Sequence, residues 1–239
     1  MQSFEHTYEH DTKTLRAHVA HFPTVDEEKL PAVLIAHDWS GRNDFAREKA
    51  EQLAALGFVG FALDMYGEGQ TAEAVEDKMA LMQPLLNDRA LLTARMQASL
   101  RAVRELPFVD AERIAVIGFC FGGLCALDLA RSSADVAGVV SFHGLLHKPQ
   151  NLPVRPITAK VLAFHGYDDP MVRPEDVVAF CEEMTEAGAD WQMHMYGNTR
   201  HSFMNPLAHN EEMGTVYSEA AERRSLAGLV YFLRELFAS

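Results

Sequence analysis

Alternating polar and apolar positions from Leu15 to Val19 predict an early strand, and denser apolar runs follow it. These are PAVLIAH from Pro31, GFVGFALD from Gly57, RIAVIGF from Arg113, VAGVVSFHG from Val136 and AKVLAFHG from Ala159. Runs this short, bounded by turn residues, fit strands buried on both faces. WQMHMY from Trp191 adds another. Between the strands, apolar residues recur at spacings of three and four, as one face of a helix requires. Ala46, Ala50, Leu53 and Ala54 form one such stripe; Val177, Val178, Cys181 and Met184 form a second; Leu226, Leu229, Val230, Leu233 and Phe237 form a third. GGLCALDLA, following the Arg113 strand, opens a further helix. The segment Thr71 to Glu105 is mostly helical, with Pro84 and Asn87–Asp88 marking a break between two helices.

Strand and helix in alternation predict an α/β fold: a doubly wound, mostly parallel sheet covered on both faces by helices in right-handed crossovers. Neither a linker nor a composition shift divides the 239 residues, so one domain spanning 1–239 is expected. Ligands of open α/β sheets bind outside the carboxyl ends of the strands. The polar residues at those ends are His37, Asp38, Asp64, Cys120, His143, Asp168 and Asp169, with His201 beyond the last strand.

Composition narrows the partners. A net charge of −13 disfavours nucleic acid and anionic membranes, which need basic surfaces, and leaves small molecules as the expected ligands. No apolar stretch approaches a membrane span and the first residues, MQSFEHTYEHD, do not resemble a signal peptide, so a cytoplasmic protein is expected. The three cysteines, Cys120, Cys125 and Cys181, stand at no metal or disulfide spacing. Cys125 and Cys181 lie on apolar helical stripes and are expected in the core.

Cys120 differs. Gly118, Cys120 and Gly122 form G-x-C-x-G at a strand-to-helix corner, the spacing of a nucleophile elbow with sulfur in place of oxygen. The strained turn and the close approach of strand and helix both require small flanking residues. The helix N-terminus favours thiolate over thiol, and the Phe121 N–H is placed to face a developing oxyanion. Downstream come HGYDDPMV and then RHSF, which gives the chain order nucleophile, acid, histidine. Asp168 and Asp169 compete for the acid. The pattern H-G-x-x-D-x-x-V, satisfied by His165 through Val172, selects Asp169 and leaves Asp168 to a turn. His201, past the final strand, is the base. His143 and His165 end strands beside glycine and are expected to satisfy backbone groups there. A metal reading of His143 and His147 lacks the H-E-x-x-H context, and YGEGQT after Asp64 lacks the lysine of a phosphate loop; neither a metal nor a cofactor is called for.

With Cys120, Asp169 and His201 in this order, together with IAHDWSGRN, DMYG, GFCFGG, HGYDDPMV and RHSF, the chain resembles the dienelactone hydrolase family over most of its length. The resemblance implies an α/β-hydrolase fold without a large cap domain, no cofactor, a monomer or weak homo-oligomer, and hydrolysis of esters or lactones through a Cys-Asp-His triad and an acyl-thioester. By position it implies a second oxyanion N–H from Trp39 and places Asp38 where the family carries a glutamate near the nucleophile. Tyr66 and Phe203 are expected with Trp39 and Phe121 around the substrate pocket. Asn205 stands where the family places an arginine that holds a substrate carboxylate, so another cation, Arg42 or Arg200, would have to serve an anionic substrate. Activated aryl esters and phosphotriesters are further expected substrates of a soft nucleophile beside an oxyanion hole. The alternatives are an acyltransferase or thioesterase with the same triad, and a binding protein without turnover on the same fold.

Overall fold

The computed structural model describes residues 1–25, 28–150, 153 and 155–238. Eight strands form one sheet: β1 (Gln2–His10), β2 (Lys13–His21), β3 (Leu30–Ala36), β4 (Val59–Ala62), β5 (Val109–Phe119), β6 (Gly138–Phe142), β7 (Lys160–Gly166) and β8 (Trp191–Tyr196). Their order is β1-β2-β4-β3-β5-β6-β7-β8. Pairing is parallel from β4 to β8 and antiparallel where β1 meets β2 and β2 meets β4. The helices are α1 (Asp44–Ala55), α2 (Val75–Asn87), α3 (Arg89–Arg104), α4 (Phe121–Arg131), α5 (Pro174–Glu186) and α6 (Glu219–Phe237). A small ribbon, β9 (His209–Asn210) with β10 (Thr215–Val216), lies apart from the sheet.

The period-two geometry of a strand explains why the central runs are apolar throughout. In β3, Ala32, Leu34 and Ala36 face the core shared with α2, α3, α4 and α5, whereas Val33 and Ile35 face the core shared with α1 and α6. Strand β5 divides likewise, Ile114 and Val116 to the first side and Ala115, Ile117 and Phe119 to the second. Helices on both faces of a mostly parallel sheet, with no large cap among the described residues, give the doubly wound fold that the sequence pattern predicts and the α/β-hydrolase architecture that the resemblance implies.

Two expectations need correction. The sequence pattern assigns no strand before Leu15, yet Gln2–His10 pairs residue for residue with β2. Only Tyr8 of β1 is buried, so this edge strand carries almost no hydrophobic signal. Pro84 does not break the helix; it lies inside α2. The break falls at Asp88 alone, whose φ of −124° and ψ of 85° are not helical and whose carboxylate accepts the Leu91 N–H at 2.9 Å to cap α3. Among the described residues no helix is long and apolar enough to cross a membrane.

Candidate active site

Cys120 caps α4 with φ 54° and ψ −115°, backbone that an L-residue adopts only under constraint. The constraint is visible on both sides. A Cβ on Gly118 would lie 2.0 Å from the Gly122 carbonyl oxygen, and one on Gly122 would lie 2.0 Å from the Ala36 carbonyl oxygen. Only glycine lets β5, α4 and the end of β3 approach this closely. The Cys120 N–H donates to the Phe142 carbonyl at 3.0 Å, tying the corner to β6. The thiol is half-buried, while Cys125 is buried in α4 and Cys181 lies on α5 against the core. Burial pushes both of those thiols up, away from the thiolate form.

His201 and Asp169 reach the same edge from loops after β8 and β7. The His201 Nδ1–H donates to Asp169 Oδ2 at 2.7 Å, and both side chains are buried. The other Asp169 oxygen accepts the Met171 N–H at 2.8 Å, which fixes the carboxylate. Asp168 is exposed and donates only its backbone N–H, to Thr199. Burial opposes a charge on His201, but the neighbouring Cys120 sulfur and the Asp169 carboxylate outweigh it and push the imidazole up to about 10. Its Nε2 has no partner that meets hydrogen-bond geometry among the described residues. The sequence did not disclose how His201 is held: its N–H donates to Gly214 and its carbonyl accepts from Val216, stitching the loop to the β9–β10 ribbon.

The loop after β3 faces the elbow. Asp38 folds back so that its carboxylate accepts the Ser40 N–H at 2.7 Å. Trp39 is half-buried, and neither its N–H nor that of Phe121 has an acceptor among the described residues. Lys78 of α2 sits over the Trp39 ring at 5.2 Å, so the segment Thr71 to Glu105 borders the site. Lys78 carries no distinguishing mark in the sequence; only the packing of α2 brings it here.

Five sequence expectations are revised. Tyr66 and Phe203 are 3% and 0% exposed, so neither presents an open pocket wall. Tyr66 instead braces the loop, its hydroxyl donating to the Trp39 carbonyl at 3.0 Å. Phe203 packs edge-on to His143 at 5.0 Å in the core beneath α1 and α6. Arg42 is spent on a bidentate pair with Glu5, and Arg200 pairs with Glu211. Asn205 likewise holds the Leu207 N–H at 2.9 Å. His165 does bond a backbone group, the Val172 carbonyl at 3.1 Å, but neither ring nitrogen of His143 has a partner among the described residues. Burial, and then the charge of His201, hold His143 well below the usual imidazole range.

Among the described residues no group of three or more His, Cys, Asp or Glu is arranged to hold a metal. A cavity of about 380 Å³ opens elsewhere, between α3, the end of α4 and α5, and none of Cys120, Asp169 and His201 lines it. Cys120, His201 and Asp169 instead meet at the carboxyl ends of the strands.

The chain matches the dienelactone hydrolase family over residues 15–237. A solved structure, the dienelactone hydrolase-like promiscuous phosphotriesterase P91 from metagenomic libraries, superposes with a TM-score of 0.91 at 34% identity, covering 98% of each chain. A putative carboxymethylenebutenolidase of Aquifex aeolicus is 30% identical over 182 residues, 73% of this chain and 77% of that protein. A probable 2-oxo-3-(5-oxofuran-2-ylidene)propanoate lactonase of a Bradyrhizobium species is 27% identical over 216 residues, 86% of this chain and 84% of that one.

Proposed function

This chain belongs to the dienelactone hydrolase family and is an ester-bond hydrolase; from that premise we propose that it cleaves small esters and lactones through Cys120, His201 and Asp169 by way of an acyl-thioester. One observation carries the assignment: a strained cysteine at a helix N-terminus beside a buried imidazole that a carboxylate holds at 2.7 Å. With its affinity for a proton raised to about 10 beside Cys120 and Asp169, His201 is suited to take and hold the proton that Cys120 gives up. The sulfur attacks the acyl carbon, and the N–H groups of Phe121 and Trp39 receive the oxyanion. The tetrahedral adduct expels the alkoxide, which takes the His201 Nε2 proton. Water then gives a proton to the neutral imidazole and attacks the thioester, releasing the acid and returning Cys120. Asp169 keeps the proton on Nδ1 and steadies the imidazolium.

The substrate reading is a small ester or lactone with little negative charge. Arg42, Arg200 and Asn205 are engaged elsewhere. Lys78, over the Trp39 ring, is a cation at the border of the site that could meet a partly anionic substrate. The same geometry suits an activated aryl phosphotriester: sulfur attacks phosphorus, aryloxide leaves with the proton of His201, and water cleaves the S–P bond. The structural relationship to P91 supports this second activity.

Turnover of an aryl acetate and an aryl dialkyl phosphate by the wild type and Cys120→Ala, with products analysed in the presence of an alcohol acceptor, tests the proposal. Free acid as the main product, and loss of both reactions in the variant, is expected. Transfer of the acyl group to the alcohol would make the chain an acyltransferase, and equal rates in the two proteins would remove Cys120 from the chemistry.

A further inference from the structure

The ring of His37, directly after β3, is wholly buried and bonded at both nitrogens. Its Nε2 lies 3.1 Å from the Met65 backbone nitrogen, and its Nδ1 lies 2.6 Å from the Asp38 carbonyl oxygen. A backbone N–H only donates, so Nε2 accepts and the single proton of the neutral ring sits on Nδ1, donating to Asp38. Burial lowers the proton affinity of the ring, which keeps it in this neutral form. The Met65 N–H thus sets the tautomer, and the tautomer holds the Asp38 carbonyl.

That carbonyl belongs to the peptide unit whose other end is the Trp39 N–H. A trans peptide is planar, so its C=O and N–H point in opposite directions. Fixing the oxygen therefore aims the hydrogen. The only other bond to this oxygen among the described residues is the longer one from the Gly41 N–H, at 3.3 Å. The next peptide unit is pinned independently by Tyr66, whose ring packs on His37 at 4.7 Å and stacks near Phe121 at 6.0 Å. Met65 and Tyr66 are in turn held by Asp64 and Arg95, the latter donating to the Met65 carbonyl. We infer that His37 is a positioning residue of the oxyanion hole: as the Nδ1–H tautomer it orients the Asp38–Trp39 peptide so that the Trp39 N–H meets the acyl oxygen. This rests on the proposed acyl transfer to Cys120.

The test compares His37→Leu, His37→Asn and His37→Gln with the wild type. Asparagine places an amide donor where Nδ1 stands, and glutamine reaches only the Nε2 position. Removing an oxyanion donor costs about 10² to 10³ in kcat, so misaiming one in His37→Leu is expected to lower kcat for an aryl ester by about tenfold or more, with KM little changed. Alkylation of Cys120 by iodoacetamide, a displacement that forms no oxyanion, is expected to keep its wild-type rate. Asparagine is expected to recover kcat and glutamine not. An unchanged kcat in His37→Leu, an equal fall in alkylation, or equal recovery by asparagine and glutamine would overturn the inference. Should the variants unfold, nitrogen-15 NMR of the wild-type ring decides: a proton on Nδ1 is expected, and a proton on Nε2 contradicts the mechanism. Absence of an acyl adduct on wild-type Cys120 would instead strike the underlying reading.

Discussion

Two parts of the sheet's carboxyl edge handle buried polar groups differently. At the ends of β3 and β4, His37 uses both nitrogens, Tyr66 bonds the Trp39 carbonyl, and the wholly buried Asp64 carboxylate accepts the N–H groups of Arg16, Tyr66, Gly67 and Gly69 at 2.8 to 3.0 Å. At the ends of β6 and β7, Ser141 Oγ, both nitrogens of His143 and Nδ1 of His165 have no partner among the described residues. The first region is a satisfied network, which fixes backbone direction. The second is held by close packing: a Cβ on Gly123 would meet Ser141 Oγ at 2.6 Å, and the rings of His143 and His201 sit 5.1 Å apart. Hydrogen bonds aim the proposed oxyanion donors, whereas on the histidine side they hold the Asp169–His201 pair and one nitrogen of His165, and leave Ser141 Oγ and the His143 ring to contact alone. The two regions should therefore answer substitution in different currencies, geometry in one and charge in the other.

The largest effect is expected on the histidine side. His201→Ala should lower ester hydrolysis by about 10² to 10⁴ while the protein stays folded, because a general acid-base group is lost. Steady-state rates alongside circular dichroism would show it, and an intact rate would remove His201 from the mechanism. Breaking the network comes next: Asp64→Ala strands several buried N–H groups, each costing about 1 to 3 kcal/mol, so a total loss near 3 kcal/mol or more is expected in urea unfolding. A change below about 1 kcal/mol would mean that the loop reorganises freely and frames nothing.

A pH series sharpens the contrast. His143 is held below its unfolded value near 6.5, so the unfolded chain binds more protons in acid. Its contribution is present above pH 6.5 and is lost as pH falls. His201 is raised to about 10; its contribution is fully present below 6.5 and is lost as pH rises through 10. The wild-type Tm should thus decline on both sides, His143→Phe flattening the acid limb by up to about 1.4 kcal/mol per pH unit and His201→Ala the alkaline limb. Parallel curves in all three proteins would show that neither ring is perturbed. The smallest effect belongs to Ser141→Ala, which removes an unpartnered hydroxyl and is expected to change stability by less than about 1 kcal/mol in either direction. A loss as large as that of Asp64→Ala would erase the distinction between the regions.

Much of this was legible in the chain. Fully apolar runs located β3 through β7, and the order of GFCFGG, HGYDDPMV and RHSF named three residues that the fold brings to one edge. The pattern that preferred Asp169 to Asp168 chose the carboxylate that bonds His201. What stayed hidden was decided by tertiary contact. Strand β1 is polar because all its side chains but that of Tyr8 are exposed or only half-buried. Arg42 was a candidate cation until β1 brought Glu5 against it. Tyr66 and Phe203 carry the same apolar label as pocket residues, and only their neighbours show one to be a brace and the other a core ring. The role of His37 depends on an N–H from Met65, 28 positions away, which no local pattern encodes.

The covalent intermediate is the most direct test of the central claim. Wild type and Cys120→Ala would be mixed with an aryl ester, quenched in acid at successive times, and weighed intact, with the adduct located by peptide mapping. The account predicts a transient species heavier by one acyl group, carried on Cys120, that forms and decays at rates matching turnover and never appears in the variant. Turnover without an acylated Cys120, or an adduct on another residue, would contradict it.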